Sequence, residues 1–246
     1  MSSDKVYRSE LTPVDFLRRS ARVYPNKTAI VYGERRYTYA QFSERVCRLA
    51  SGLQNAGFTL GDRIAILSPN TPALLEAHFA IPALGGILVP VNIRLQPDEV
   101  AYILADSGAR FLFIDEAFYP QIAELDLAQL QLIRITDTGQ ADDPYEQFLA
   151  AASPDPLLRV IDDEETPLSM NYTSGTTGQP KGVLCTHRGA YLNAMGQIVE
   201  IGLDRDSVFL WTLPMFHCNG WCCTWAITAI GGTHVCLRSI EPDAVW

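Results

Sequence analysis

Ten residues, Thr173-Ser174-Gly175-Thr176-Thr177-Gly178-Gln179-Pro180-Lys181-Gly182, carry the densest chemistry in the chain. Four hydroxyls, three glycines and one lysine lie between two strand-like runs, Pro167 to Tyr172 and Val183 to Cys185. Glycine lets a backbone approach a ligand closely and take positive φ. Successive N–H groups in such a loop form an anion-binding concavity. The hydroxyls add donors or a Mg2+ ligand, and the lysine adds a compact positive charge. These are the parts of a triphosphate grip. The Walker loop is a different device, with four residues between its glycines and a helix after Gly-Lys-Ser/Thr. Here two residues separate Gly175 from Gly178, and an apolar run follows Lys181-Gly182. A ligand-free surface hairpin is the plain alternative, but hairpin loops usually run two to five residues and have no use for the lysine.

A second constellation is Leu213-Pro214-Met215-Phe216-His217-Cys218-Asn219-Gly220-Trp221-Cys222-Cys223. His217 can donate a hydrogen bond or carry charge near neutrality, and beside a triphosphate it would stabilise developing charge. Taken alone, a histidine and a tryptophan in an apolar stretch are more often core residues; the phosphate loop reverses that preference. Zinc is a further alternative, because His217, Cys218, Cys222, Cys223, His234 and Cys236 lie close together in sequence. No Cys-x-x-Cys pair occurs, adjacent Cys222 and Cys223 would diverge by about 100° on a helix, and their neighbours are those of a core. His78 reads as a helix residue rather than a catalyst.

The elements that must position these groups alternate between helix and strand. Thr12-Pro13 opens a helix with threonine as N-cap and Phe16, Leu17, Ser20 and Ala21 on one face. Strands over 28–32 and 36–38 form a hairpin about Gly33-Glu34. Thr38 to Gln41 has capping-box spacing, and Phe42, Val46, Leu49, Ala50 and Leu53 form the following apolar stripe. Strands are expected at 63–67, 87–91, 110–114 and 131–135, with helices opening at Pro72 and Pro97 between them and a short one at 145–151. After the loop come a helix over 187–200 capped by Thr186, a strand over 208–213, a helix over 219–230, a strand over 233–237 and a helix opening at 241. Apolar strands alternating with helices predict an α/β fold with doubly wound, mostly parallel sheets. An acidic, proline-containing connection at 155–166 is taken as a boundary between a first α/β subdomain over 1–160 and the start of a second over 161–246.

Composition excludes other classes. Of 246 residues, 48% are apolar and 19% charged, which is ordinary for a globular protein. A net charge of −9 argues against a nucleic-acid surface, so any phosphate site must be local. No signal peptide or transmembrane stretch is legible. Six cysteines in a chain of this length, without a signal, point to a reducing cytoplasm.

The loop resembles, at every defining position, the signature of the adenylate-forming enzymes: acyl-CoA synthetases, luciferases and peptide-synthetase adenylation domains. Pro-Met-Phe-His-x-x-Gly is similar to the acyl- and aryl-CoA synthetases in particular. The resemblance implies the large N-terminal domain of such an enzyme, with ATP, Mg2+ and coenzyme A as co-substrates and cofactor. It implies that Thr173, Ser174, Gly175, Thr176, Thr177, Gly178 and Lys181 hold the nucleotide, with Thr173 at the Mg2+ position. It gives His217 and Lys181 catalytic roles, and makes His217 and Trp221 line the acyl site. The Val91-Asn92-Ile93-Arg94-Leu95 segment resembles a lesser motif, where Arg94 positions a phosphate or makes a structural salt bridge. The implied partner is a small carboxylic acid, fatty or related, and a homodimer is compatible with the full-length form. The bulk of Trp221 and Trp225 suggests a short- to medium-chain acid. The family's later motifs, for adenine, ribose and a C-terminal catalytic lysine, do not occur in residues 1–246. The expectation is therefore an N-terminal portion of an AMP-forming acyl-CoA synthetase, without the C-terminal domain and inactive alone. It should bind Mg-ATP weakly, lacking charge-assisted hydrogen bonds worth about 1.5–3 kcal/mol each. The alternative is a non-catalytic nucleotide- or acyl-binding short protein.

Overall fold

The computed structural model describes residues 9–155, 161–173 and 178–241. In chain order the elements are α1 (Val14–Val23), β1 (Thr28–Tyr32), β2 (Arg35–Thr38), α2 (Tyr39–Asn55), β3 (Arg63–Leu67), α3 (Pro72–Ala83) and β4 (Ile87–Pro90). Then follow α4 (Pro97–Ser107), β5 (Ala109–Asp115), α5 (Tyr119–Ile122), β6 (Gln131–Ile135), α6 (Pro144–Ala150), β7 (Pro167–Thr173) and β8 (Lys181–Thr186). The last are α7 (His187–Ile201), β9 (Val208–Leu210), α8 (Cys223–Ile230) and β10 (Thr233–Val235).

Two sheets result, one ordered β2-β1-β10-β9 and the other β6-β5-β3-β4-β7-β8. Every neighbouring pair is parallel except β1/β2 and β7/β8. Both sheets draw strands from either side of the 155–166 connection. The six-stranded sheet is covered on both faces, as its continuous apolar strands require. Ile64, Ile66, Phe111 and Phe113 pack with α2 and α3, while Ala65, Leu67, Leu112 and Ile114 pack with α4 and α5. This is the doubly wound, mostly parallel arrangement that the sequence predicts.

Local signals explain several boundaries. Thr38 and Gln41 form a reciprocal capping box, Thr71 caps α3 just before Pro72, and Thr186 caps α7. Three expectations change. α1 is assigned from Val14 with Pro13 at the N-cap, while the Thr12 hydroxyl accepts from Val14 N at 3.3 Å and also meets His187 Nδ1 at 2.8 Å. The expected strand over 208–213 ends at Leu210, where Asn70 takes over the backbone (below). The expected helix over 219–230 starts only at Cys223, because Cys218 to Cys222 all have positive φ, between 49° and 61°. Cys222 and Cys223 therefore do not share a helix. The expected helix opening at 241 lies outside the described residues.

Three histidines, His78, His187 and His234, are fully buried in this frame, and burial shifts the pKa of two of them far down. His234 Nδ1 accepts from the Trp211 indole N–H (3.1 Å), so the proton on Nε2 is directed at Thr228 Oγ1 (2.9 Å). Burial pushes its pKa down to about 3. His78, its Nδ1 held 2.8 Å from Leu74 O, is pushed down to about 4 by burial. The unfolded chain protonates such groups below about 6.5, whereas the folded protein resists until pH 4 and 3. Their stabilising effect is therefore full above pH 6.5 and is lost as pH falls. At pH 4 the loss is on the order of 3 kcal/mol for each. Urea midpoints measured from pH 7 down to pH 4 should fall accordingly, with a smaller fall in a His234→Gln variant.

Candidate active site

The strand β7 delivers the loop. Leu168 and Ser169 are buried beside β4, and the chain emerges at Thr173, which is exposed. Antiparallel pairing returns the chain along β8 in the register Thr173↔Lys181, so the first hydroxyl and the lysine of the loop sit opposite one another at its base. Gly178 has φ 124°, a conformation that a side chain would strain. Ser174, Gly175, Thr176 and Thr177 lie outside the described residues. Lys181 is exposed and makes no ion pair among the described residues, which suits a group meant for an anionic ligand.

The other wall is the segment leading to His217, and Asn70 holds it. Its amide Nδ2 donates to Trp211 O (2.9 Å) and Leu213 O (3.0 Å), and its Oδ1 accepts from Met215 N (2.8 Å). A buried asparagine at the end of β3 thus fixes the run into Phe216 and His217. His217 N donates to Pro214 O, and Gly220 N donates to His217 O. A cleft of about 200 Å³ opens between the two walls, lined by Asn92, Glu99, Tyr172, Thr173, Phe216 and His217 among others. Thr173 and His217 are therefore brought together, with Lys181 across the strand pair.

Other expected residues fall elsewhere. Trp221 is 58% exposed and does not line the cleft. Trp225 is fully buried, its indole N–H donating to His78 O, so neither tryptophan bears on chain length in that cleft. The Arg94 side chain is exposed and outside the cleft lining. Zinc finds no support: no group of three or more candidate ligands occurs among the described residues, and both His234 nitrogens have protein partners. All six cysteines are free thiols.

The sequence does not single out Asn70, which holds the His217 segment, nor the buried polar residues Ser169, Asn171 and Asn219, which hydrogen-bond to one another beside it. The signal available for Asn171 was a carboxamide in an otherwise apolar strand, which asks for a buried partner. Cys218 was read only as a metal-ligand type; it is exposed, and its Sγ lies 3.8 Å from His217 Nε2.

Comparison with known proteins agrees with this fold. The AMP-binding enzyme family matches residues 17–246. A probable acyl-activating enzyme 12, peroxisomal, of Arabidopsis thaliana is 41% identical over 96% of this chain and 44% of its own length. The 4-hydroxybutyrate–CoA ligase 2 of Metallosphaera sedula is 41% identical over 97% of this chain and 45% of its own. Among solved structures, the N-terminal domain of FACL13 from Mycobacterium tuberculosis with a bound inhibitor superposes with a TM-score of 0.85 at 30% identity, over 96% of this chain and 59% of that one. The anthranilate CoA ligase AuaEII with anthranoyl-AMP gives 0.86 at 27% identity, over 95% of this chain and 46% of that one. The chain spans less than half the length of the curated relatives it matches. With the loop base, the His217 wall and the two-sheet scaffold all in place, the chain belongs to the AMP-binding enzyme family, the adenylate-forming superfamily.

Proposed function

We propose that the protein carrying this chain is an AMP-forming carboxylic acid–CoA ligase. The observation that carries the reading is the meeting of Thr173 and His217 in one cleft, with Lys181 paired opposite Thr173 at the loop base. A substrate carboxylate oxygen attacks the α-phosphorus of ATP, the bond to pyrophosphate breaks, and an acyl-adenylate forms. The coenzyme A thiol then attacks the acyl carbonyl, losing its proton, and AMP leaves. Lys181 offsets triphosphate charge, and the His217 imidazole stabilises charge developing near the reacting oxygens. Mg2+ held at the Thr173 hydroxyl would supply further charge neutralisation. Relatives named for butyrate and 4-hydroxybutyrate support a small acid as substrate. Six free thiols suit a reducing compartment.

The test is pyrophosphate release by the full-length protein with Mg-ATP and a panel of acetate, butyrate, 4-hydroxybutyrate, benzoate, palmitate and amino acids. Release with one of the small acids, followed by coenzyme A-dependent thioester formation, is expected. Release with amino acids alone, or nucleotide binding with no turnover on any acid, would overturn the reading.

A further inference from the structure

A buried polar cluster ties β7 to the turn after His217. Ser169, Asn171 and Asn219 are all at least nine-tenths buried. Asn219 Nδ2 donates to Ser169 Oγ (2.9 Å) and to Asn171 Oδ1 (3.1 Å), while Asn171 Nδ2 donates back to Asn219 Oδ1 (3.3 Å). Ser169 Oγ donates to Asn171 Oδ1 (3.2 Å). Beyond this, Thr224 Oγ1 donates to Asn219 O at 3.2 Å. Buried carboxamides satisfied chiefly by one another are costly to break singly.

The backbone at Asn219 is unusual. Five successive residues, Cys218 to Cys222, lie in the left-handed region, and only Gly220 is glycine. Each non-glycine residue there costs roughly 1–2 kcal/mol, so such a run persists only where its surroundings over-determine it. Asparagine is among the residues that tolerate this region best, and its side chain supplies the anchor.

Spacing gives the cluster its consequence. Asn171 and Thr173 are two apart on a strand, so they share a face of β7. His217 is two residues before Asn219. The Asn171–Asn219 pair is thus a short link joining the base of the phosphate loop to the imidazole wall. We propose that Asn219 is a positioning residue that locks the left-handed turn to β7 and so holds His217 in register with Thr173. This rests on the adenylation reading above.

The test is a double-mutant cycle in the full-length protein, read as the rate of adenylate formation. Asn219→Gly keeps the left-handed backbone accessible and removes the amide. It should lower that rate by about 100-fold, the scale of a 1 Å misplacement. The KM for ATP should change by less than about threefold, because the loop itself is untouched. In a His217→Ala background the same substitution should cost under about threefold, since the group it positions is gone. Equal losses in both backgrounds, or a loss confined to KM, would overturn the proposal. If the unaltered protein releases no pyrophosphate with any acid, the adenylation reading fails, and amide exchange decides the positioning claim. Gly220 N–H donates to His217 O and Cys222 N–H to Asn219 O. Asn219→Gly should speed exchange at these two amides before those of Trp225 and Ala226. Unchanged exchange at Gly220 and Cys222 would overturn it.

Discussion

Arg45→Ala lowers the free energy of unfolding by about 3–5 kcal/mol at pH 7, the cost of breaking a buried ion pair from one side. Arg45 Nε donates to Glu76 Oε1 at 2.5 Å, and its two terminal nitrogens donate to Glu146 at 2.7 and 2.8 Å. Tyr145 Oη donates to the second oxygen of Glu76 at 2.6 Å. This ties α2 to α3 and α6, and the Glu76 side chain is fully buried. Burial raises the pKa of Glu76, and Arg45 pulls it back. Without the guanidinium, Glu76 keeps only the Tyr145 hydroxyl among these partners, and its folded pKa climbs further above the unfolded value. A carboxyl shifted this way destabilises above its unfolded pKa and stops doing so once both states are protonated. The deficit of Arg45→Ala relative to the unaltered protein should therefore be greatest near neutrality and shrink towards pH 4–5. Urea denaturation across that range checks it, and Arg45→Ala with Glu76→Gln should recover part of the loss at pH 7. A pH-independent deficit would mean that lost packing, not the stranded carboxylate, sets the cost.

His217→Ala should lower adenylate formation by about 100- to 1,000-fold, the range for removing one donor aimed at developing charge. Its effect on stability should stay within about 0.5 kcal/mol, because the imidazole is exposed and other groups hold the backbone around it. Pyrophosphate release and a thermal melt on the same preparation separate the two quantities. A variant that melts normally and turns over normally would remove His217 from the chemistry.

The alternation of helix and strand was legible because each buried strand is a short apolar run punctuated by glycine or proline. Caps such as Thr38 with Gln41 and Thr71 with Pro72 mark helix starts with side chains that hydrogen-bond within four residues. The left-handed turn was not legible. Trp221-Cys222-Cys223-Thr224-Trp225-Ala226 has the composition of a buried helix, and only Asn219-Gly220 hints otherwise. What forces the turn is distant in sequence: a Cβ at Gly220 would come within 2.4 Å of the Trp211 ring, and Asn219 reaches β7 some 50 residues back. The same distance problem hid the Arg45 cluster, whose two glutamates lie 31 and 101 residues away. The loop chemistry could be read from local residue types; the company it keeps depends on tertiary pairing.

The order β2-β1-β10-β9 has a consequence for how the chain is made. Ile30 pairs with His234 and Val31 with Val235, so β1 waits for a partner 204 residues downstream. At about 5–20 residues per second, a ribosome needs roughly 10–40 s to supply it. Throughout that interval the β1 edge that meets β10 has no partner strand, although α2, which packs on the hairpin, follows it directly in sequence. In the six-stranded sheet β3, β4, β5 and β6 pair across about 20 to 47 residues, so that part can begin assembling first. Expression in a host that translates slowly, or is short of holding chaperones, should therefore yield protein that fails at the small sheet while its larger neighbour is already formed.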